Sequence, residues 1–189
     1  VVVVTPDAAL GKKAVACPVI YLLHGYGGNA KTWIGIKPNL PQIADEKGII
    51  FVCPDGKNSW YWDSPKDPSY RYETFVSSEL VKYIDGHYKT IADRKGRAIT
   101  GLSMGGHGAM WNAIRHKDTF GAGGSTSGGV NIRPFPLNWD MSKQLGEFAY
   151  NKKVWDEHTV INQIDKIENG DLAIIIDCGE ADFFLNVNK

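Results

Sequence analysis

The sequence predicts an α/β protein, in which a mostly parallel sheet carries helices on both faces. Apolar runs without polar alternation are typical of strands that are buried on both sides, and they occur at residues 19–23, 49–53 and 172–177. Segments with helical spacing of apolar residues lie between these runs. Because strands and helices alternate along the chain, we expect most strands to pair in parallel.

The individual elements follow from the same patterns and from the glycines and prolines that end them. The predicted strands are residues 1–5, 19–23, 49–53, 97–100, 120–125 and 172–177. The predicted helices are residues 41–47, 72–88 and 104–116. Residues 131–170 interrupt the alternation with a long aromatic-rich segment. We expect a partly helical, cap-like excursion there, which either covers the carboxyl ends of the strands or packs laterally on the domain.

A strand-to-helix junction carries the strongest functional signal. The run Gly101-Leu102-Ser103-Met104-Gly105 follows a short apolar strand and precedes a helix. Gly-x-Ser-x-Gly in this position is the nucleophile elbow of an α/β hydrolase, in which the serine lies at the tip of a strained turn. Ser103 is therefore the candidate nucleophile. Gly106 and Gly108 are expected to let the following helix approach the sheet closely.

A serine nucleophile needs a histidine base and a carboxylate that orients the histidine. In this fold the acid follows a late strand. Three carboxylates lie at or just beyond the last predicted strand, namely Asp177, Glu180 and Asp182. Asp182 is favoured because it lies in the turn after the strand, and the other two are alternatives.

Two backbone N–H groups are expected to form an oxyanion hole. One belongs to Met104, the residue after the candidate nucleophile, and the other to a loop after an early strand. The glycine-rich run His24-Gly25-Tyr26-Gly27-Gly28 supplies such a loop. We nominate the N–H group of Tyr26 as the second donor.

The base is the part of the site that the sequence does not supply. In this fold the catalytic histidine follows the acid, but all five histidines precede Asp182: His24, His87, His107, His116 and His158. The first is expected to shape the glycine-rich loop, and the next three to lie on or beside helices. His158, in the cap-like excursion, is a remote alternative. We therefore expect the catalytic histidine beyond Lys189.

Composition limits the partners and cofactors of the chain. Its 189 residues include 21 Lys plus Arg and 21 Asp plus Glu, so its charge indicates neither nucleic acid nor an anionic membrane as a partner. No apolar run approaches the length of a membrane span. The three cysteines lack metal-ligand spacing, and no metal or other cofactor is predicted. They are expected to be small buried side chains, which leaves the cellular compartment open.

Several motifs together resemble the esterase D family of α/β hydrolases, which includes S-formylglutathione hydrolases, tributyrin esterases and feruloyl or acetyl-xylan esterase domains. The matching segments are residues 21–28 with Trp33, 54–61, 72–75, 83–85, 101–106 and 179–182. The resemblance implies an α/β-hydrolase fold with Ser103 as nucleophile and Asp182 as acid. It also implies Tyr26 and Met104 as oxyanion donors.

The resemblance implies a serine carboxylesterase that hydrolyses short-acyl or aromatic-acyl esters through an acyl-enzyme intermediate. The alternatives are an acyltransferase that uses the same site and a non-catalytic relative that binds esters or carbohydrates. The expected partner is a small-molecule or polysaccharide-linked ester. Four aromatic residues after early strands are expected to line an aromatic binding surface or, alternatively, to pack within long loops: Trp33, Trp60, Tyr61 and Trp62.

The family carries strand sequence before a segment like residues 1–5, and it continues beyond the acid to the loop that holds the histidine. Residues 1–189 are therefore expected to be a single incomplete domain, truncated at both ends. An uncovered last strand offers unpaired backbone groups to another chain. For that reason we also consider a homo-oligomer.

Overall fold

A six-stranded sheet forms the centre of the computed structural model, which describes residues 1–189 without interruption. The strands are β1 (Val2–Val4), β2 (Val19–Leu23), β3 (Ile50–Cys53), β4 (Arg97–Gly101), β5 (Ala122–Thr126) and β6 (Ala173–Asp177). Their order across the sheet is β1-β3-β2-β4-β5-β6. β1 is antiparallel to β3, and every other pair is parallel. The prediction of a mostly parallel sheet is confirmed.

The strand register brings the functional loops to one edge of the sheet. β2 and β4 pair along their whole length, so that Leu23 lies opposite Gly101. β5 and β6 are also paired throughout, and Thr126 lies opposite Asp177. The loops that follow these four parallel strands therefore leave the sheet side by side, at the edge where ligands bind in open α/β sheets.

Eight α-helices surround the sheet. They are α1 (Thr32–Ile36), α2 (Leu40–Lys47), α3 (Tyr72–Thr74), α4 (Leu80–His87), α5 (Met104–Arg115), α6 (Met141–Leu145), α7 (Lys152–Glu157) and α8 (Leu185–Asn188). A π-helical turn at Phe75–Glu79 joins α3 to α4, so the helix predicted over residues 72–88 is present with this irregularity. The longest helix, α5, has 12 residues, and no helix has the length and apolar character that crossing a membrane requires.

The two faces of the sheet carry separate cores, which confirms the prediction of helices on both faces. Side chains alternate between the faces along a strand. Tyr21 and Leu23 point into a core of 29 buried residues that includes side chains of α4 and α5. Leu22 lies in a smaller core of 5 buried residues beneath α2. Of the cysteines, Cys17 and Cys53 are buried as predicted, whereas Cys178 is partly exposed.

The last strand, β6, is uncovered, as expected. Its apolar run is typical of a strand that is buried on both faces, but all five of its residues are exposed, including Ile175 at 75%. β6 is an edge strand that pairs only with β5. Its other edge therefore carries the unpaired backbone groups that were expected.

The two halves of the excursion at residues 131–170 lie in different surroundings. Its first half reaches the carboxyl ends of the strands: the Tyr26 hydroxyl donates to the Asp140 carboxylate at 2.7 Å, and the Trp60 indole donates to the Trp139 carbonyl at 3.1 Å. Its second half packs laterally on α5, where the 3₁₀ segment Val160–Lys166 supplies Gln163. The segment is thus partly helical, as expected, and spans two environments.

Candidate active site

The elbow at Ser103 has the geometry that its glycines predict. Ser103 has φ +56° and ψ −117°, a strained conformation for a residue with a side chain, and α5 begins at the next residue. Its N–H donates to the Thr126 carbonyl at 3.0 Å. A Cβ atom at Gly101 would collide with the Gly105 carbonyl, and one at Gly105 would collide with the Leu23 carbonyl. Both glycines are therefore required for this turn.

The two nominated oxyanion donors lie beside the elbow with free N–H groups. Neither the Met104 nor the Tyr26 N–H donates a hydrogen bond within the protein. Met104 is the first residue of α5, so its N–H lies at the positive end of the helix dipole. The loop that carries Tyr26 touches the elbow, because a Cβ atom at Gly25 would lie 3.5 Å from Cβ of Ser103.

The favoured acid, Asp182, lies in the turn after β6. Its N–H donates to the Gly179 carbonyl at 3.0 Å, and its carboxylate accepts the Phe184 N–H at 2.7 Å. Phe184 is buried and packs edge-to-face on Phe135 of the excursion, with ring centroids 5.2 Å apart. This anchor fixes the turn. The alternatives Asp177 and Glu180 are exposed, and neither carboxylate accepts a hydrogen bond within the protein.

None of the five histidines hydrogen-bonds to Ser103 or Asp182. His24 bonds within the glycine-rich loop, as predicted. His87 is exposed at the end of α4 and stacks on Tyr83. His158 stacks on Trp111, which lies two helical turns along α5 from the elbow. His158, the remote alternative for the base, thus packs on α5 away from its first turn and does not hydrogen-bond to Ser103.

His107 is buried in a tryptophan cluster rather than exposed at the site. Its ring lies edge-on to Trp60 and Trp62, with centroids 5.1 Å away in each case, and parallel to Trp111. Burial lowers the pKa of His107 to about 3, despite a hydrogen bond to the Gly129 carbonyl. The imidazole is thus neutral near pH 7 and belongs to the core.

Three of the four aromatic residues after early strands pack within the core, which is the second of the two expectations, and do not line a binding surface. Trp60, Tyr61 and Trp62 are at most 1% exposed. Trp60 and Tyr61 have φ values of +56° and +60°, and this left-handed pair turns the loop so that consecutive rings enter the core. The aromatic rings that do reach the surface near the site were not predicted: Phe183 is 66% exposed and stacks on the half-buried Trp139 at 5.7 Å.

The space around their α-carbons separates two uses of glycine on α5. Gly106 faces the sheet as predicted, because a Cβ atom there would lie 2.7 Å from Oγ of Ser125. Gly108 instead makes room for the ring of Tyr61, with which a Cβ atom would collide. No signal in the sequence distinguishes these two positions, since both follow the elbow on one helix.

A polar hollow of about 380 Å³ adjoins the glycine-rich loop. Gly27, Lys57, Asn58, Asp140 and Lys143 line it, and its two lysines pair with carboxylates. Hydrogen bonds to Tyr26 and Lys143 lower the pKa of Asp140. No group of three or more His, Cys, Asp or Glu side chains is arranged to hold a metal ion.

A larger polar cleft of about 810 Å³ lies at the other end of α5. At its base, the buried carboxylate of Glu73 accepts hydrogen bonds from Trp111, Arg115 and His116, each at 2.8 Å. Burial would raise the pKa of Glu73, but the His116 and Arg115 bonds outweigh it and lower this pKa to about 2. His116, predicted at the helix end, is thus a partner of Glu73.

The sheet order and the elbow define the class of α/β hydrolases with a serine at the strand-to-helix turn. The chain belongs to the esterase family: the family model described as "Putative esterase" matches residues 1–189. The resemblance to the esterase D family is confirmed, because S-formylglutathione hydrolases are among the relatives of the chain.

Individual relatives show how much of a related protein the chain covers. Esterase Rv1288 of Mycobacterium tuberculosis is 28% identical over 194 residues, which are 91% of this chain and 42% of that protein. A solved ferulic acid esterase is 30% identical with a TM-score of 0.72, covering 92% of this chain and 70% of that one. FphF, a fluorophosphonate-binding serine hydrolase of Staphylococcus aureus, has a TM-score of 0.84 at 20% identity, covering 98% and 75%. The chain thus spans less than half the length of the first relative.

Proposed function

We propose that the protein containing this chain is a serine carboxylesterase, in which Ser103 attacks the ester carbonyl and forms an acyl-enzyme. The observation that carries the proposal is the pair of free N–H groups, from Tyr26 and Met104, beside a serine in a strained elbow. Met104 is fully buried, and most buried backbone donors in proteins are satisfied. A free buried donor next to a candidate nucleophile, with the free Tyr26 N–H in the adjoining loop, therefore favours a site that receives an oxyanion.

The proposed reaction assigns one task to each group. As Ser103 Oγ bonds to the carbonyl carbon, the carbonyl oxygen becomes negative and accepts the Tyr26 and Met104 N–H groups. The positive end of α5 stabilises the same charge. Collapse of the tetrahedral intermediate expels the alcohol, and water then hydrolyses the acyl-enzyme by the reverse use of the site.

We propose Asp182 as the carboxylate that orients the base, because its turn is anchored by the buried Phe184. The base accepts the serine proton and returns it to the leaving alcohol. The placement of all five histidines away from Ser103 favours a base from outside residues 1–189. We propose a histidine there, held between Asp182 and Ser103.

We propose short-acyl or aromatic-acyl esters as substrates, including esters linked to polysaccharides. The hollow beside the glycine-rich loop is polar, which disfavours a long alkyl chain. The exposed Phe183 and its partner Trp139 offer an aromatic face to a phenolic acyl group or a sugar. The ferulic acid esterase likeness supports the same class. We further propose that the first half of the excursion borders the substrate.

The test is Ser103→Ala in the full-length protein. We expect turnover of p-nitrophenyl acetate to fall by several orders of magnitude, since removal of a triad serine elsewhere costs up to about a millionfold. Labelling by a fluorophosphonate probe should also disappear. Ser127→Ala, in the neighbouring loop after β5, is the matched control and should retain both. Near-normal turnover in Ser103→Ala would contradict the assignment.

An acyltransferase would use the same groups with an alcohol in place of water. The two reactions differ in the fate of the acyl-enzyme. Addition of a sugar alcohol to the assay would divert acyl groups to a new ester in a transferase, whereas a carboxylesterase releases acid at an unchanged rate.

A further inference from the structure

The direction of the Tyr26 N–H is fixed by the other end of its own peptide group. A trans peptide is planar, so the Gly25 carbonyl and the Tyr26 N–H point in opposite directions. The Gly25 carbonyl oxygen lies 2.7 Å from Nδ1 of His24, and it also accepts the Gly28 N–H at 3.0 Å. Whatever holds this carbonyl therefore also aims the proposed oxyanion donor.

The ring of His24 can donate to Gly25 in only one tautomer. Its Nε2 atom accepts the Gly56 N–H at 2.9 Å, so Nε2 carries no proton. In the neutral ring the proton then lies on Nδ1, which donates to the Gly25 carbonyl. His24 is fully buried, and it joins the loop after β3 to the loop after β2.

Tyr61, which lies in the same loop as Gly56, fixes the peptide group between His24 and Gly25. Its hydroxyl donates to the His24 carbonyl at 3.0 Å, and this carbonyl accepts no backbone hydrogen bond. Burial raises the pKa of Tyr61 well above its ordinary value, so the hydroxyl keeps its proton. The ring lies between Gly56 and Gly108, and a Cβ atom at either glycine would collide with it.

The conformation of Tyr61 is unfavourable by itself. Tyr61 and Trp60 both lie in the left-handed region, which residues other than glycine seldom adopt. Oγ of the buried Ser59 stabilises the turn, donating to the Gly56 carbonyl at 2.6 Å and accepting the Tyr61 N–H at 3.0 Å. Backbone strain of this kind clusters at functional sites.

We infer that Tyr61 is a positioning residue for the oxyanion hole, acting through His24. Its hydroxyl fixes the His24 carbonyl, while the His24 ring fixes the Gly25 carbonyl, and together they aim the Tyr26 N–H at the reacting oxygen. Tyr61 does not touch the substrate. This inference rests on the proposed function, because it assigns a task only if Tyr26 stabilises an oxyanion.

Tyr61→Phe tests the inference, because it removes one hydroxyl and keeps the ring between the two glycines. In the full-length protein we expect kcat for p-nitrophenyl acetate to fall about 10- to 100-fold, with KM within about twofold. The reason is that a displaced donor weakens binding of the transition state more than it weakens binding of the substrate. The affinity for phenylboronic acid, whose tetrahedral adduct places an oxygen in the hole, should fall by a similar factor.

Tyr21→Phe is the matched control. Tyr21 is also fully buried, lies on the strand that leads to the loop, and has a hydroxyl without a hydrogen-bond partner. Its substitution should leave kcat and the boronate affinity unchanged. A thermal melt of each variant shows whether it is folded at the assay temperature. Equal boronate affinity in Tyr61→Phe and the parent protein would overturn the inference.

A second measurement does not depend on activity. ¹⁵N NMR of labelled histidine should show His24 protonated at Nδ1 and not at Nε2 in the parent protein, and an Nε2-protonated ring would overturn the inference.

Ser103→Ala distinguishes a failure of the proposed function from a failure of the positioning role. Retained turnover in Ser103→Ala refutes the proposed function itself, whereas its loss together with normal Tyr61→Phe kinetics refutes the positioning role alone.

Discussion

The two ends of α5 meet opposite requirements. At its beginning, Ser103 is strained and the Met104 N–H donates no hydrogen bond. At its end, Arg115 and His116 both bond to Glu73, and the carboxylate is fully engaged. One helix of 12 residues, about 18 Å long, thus separates a strained end with a free N–H group from a tightly bonded end. The comparison indicates that strain at the elbow costs free energy, and that the bonds to Glu73 at the other end of the helix offset it.

The body of α5 links these ends. All its residues except Arg115 are buried. Trp111 donates to Glu73 through its indole and stacks beneath the Arg115 guanidinium, 4.5 Å from the ring centroid. A substitution at the first end should therefore act mainly on activity, and one at the second end mainly on stability. Four predictions test this division, beginning with the largest expected effect.

Gly105→Ala should abolish the function of the first end. The new Cβ atom would collide with the Leu23 and His24 carbonyls, which lie on the strand and loop that position Tyr26. We expect esterase turnover to fall at least about a hundredfold, because displacement of about 1 Å has that effect on catalytic geometry. Steady-state kinetics of the full-length protein measure this. Gly35→Ala, where a Cβ atom meets open space, is the control. Equal turnover in both variants would mean that the elbow tolerates a side chain.

Glu73→Ala should damage the second end and spare the first. It leaves Arg115 and His116, which solvent reaches, without their partner, and it leaves the buried indole N–H of Trp111 without an acceptor. An unsatisfied buried donor costs about 1–3 kcal/mol. Chemical denaturation should show this loss in the free energy of unfolding. At a temperature where the variant is folded, labelling of Ser103 by a fluorophosphonate should proceed at the parent rate. A large loss of labelling in the folded variant would show that the two ends are not separable.

Acid should destabilise the packing of α5 in two pH ranges. The folded pKa of His107 is about 3 against an ordinary value of 6.5, so stability is full above pH 6.5 and falls towards pH 3, by up to about 1.4 kcal/mol per pH unit. Glu73, with a pKa lowered from 4.5 to about 2, adds a loss only below pH 4.5. His107→Gln should flatten the unfolding free energy between pH 6.5 and 4.5. His87→Gln, at an exposed position, should leave the slope as it is.

Tyr26→Phe should have the smallest effect. It removes the exposed bond from the Tyr26 hydroxyl to Asp140 but keeps the backbone N–H that we assign to the oxyanion hole. We expect stability to change by less than about 1 kcal/mol, as for other exposed polar pairs, and kcat to change by less than about threefold. Kinetics and thermal melts check both. A loss comparable to that of Tyr61→Phe would show that the side chain, and not its backbone, matters.

Local signals in the sequence predicted the first end of α5 well. The elbow needs glycines at fixed positions on either side of one serine, so five consecutive residues carry the information. The strands were predicted from apolar runs, from a run of small residues at 120–125 and from the position of the elbow after 97–100, and their bounds agree with the structure to within two residues. These features depend on neighbours in the sequence, which a pattern can describe.

Features that depend on distant partners were not predicted. Glu73 and His116 form a hydrogen bond although they are 43 residues apart in the sequence, and no local pattern predicts that contact. The burial of Trp60 and Tyr61 follows from two left-handed residues that only the surrounding turn imposes.

The glycines at the start of α5 also bear on the order in which the chain folds. Gly105, Gly106 and Gly108 fall within the first five residues of the helix, and each lowers helix propensity by about 1 kcal/mol relative to alanine. Helix nucleation is therefore strongly disfavoured at this end in an isolated peptide. We therefore expect the turn to become stable only once β2, β4 and the loop of Tyr61 are in place. We also expect this end of the helix to open before the rest, so that its amides exchange with solvent ahead of those near Trp111.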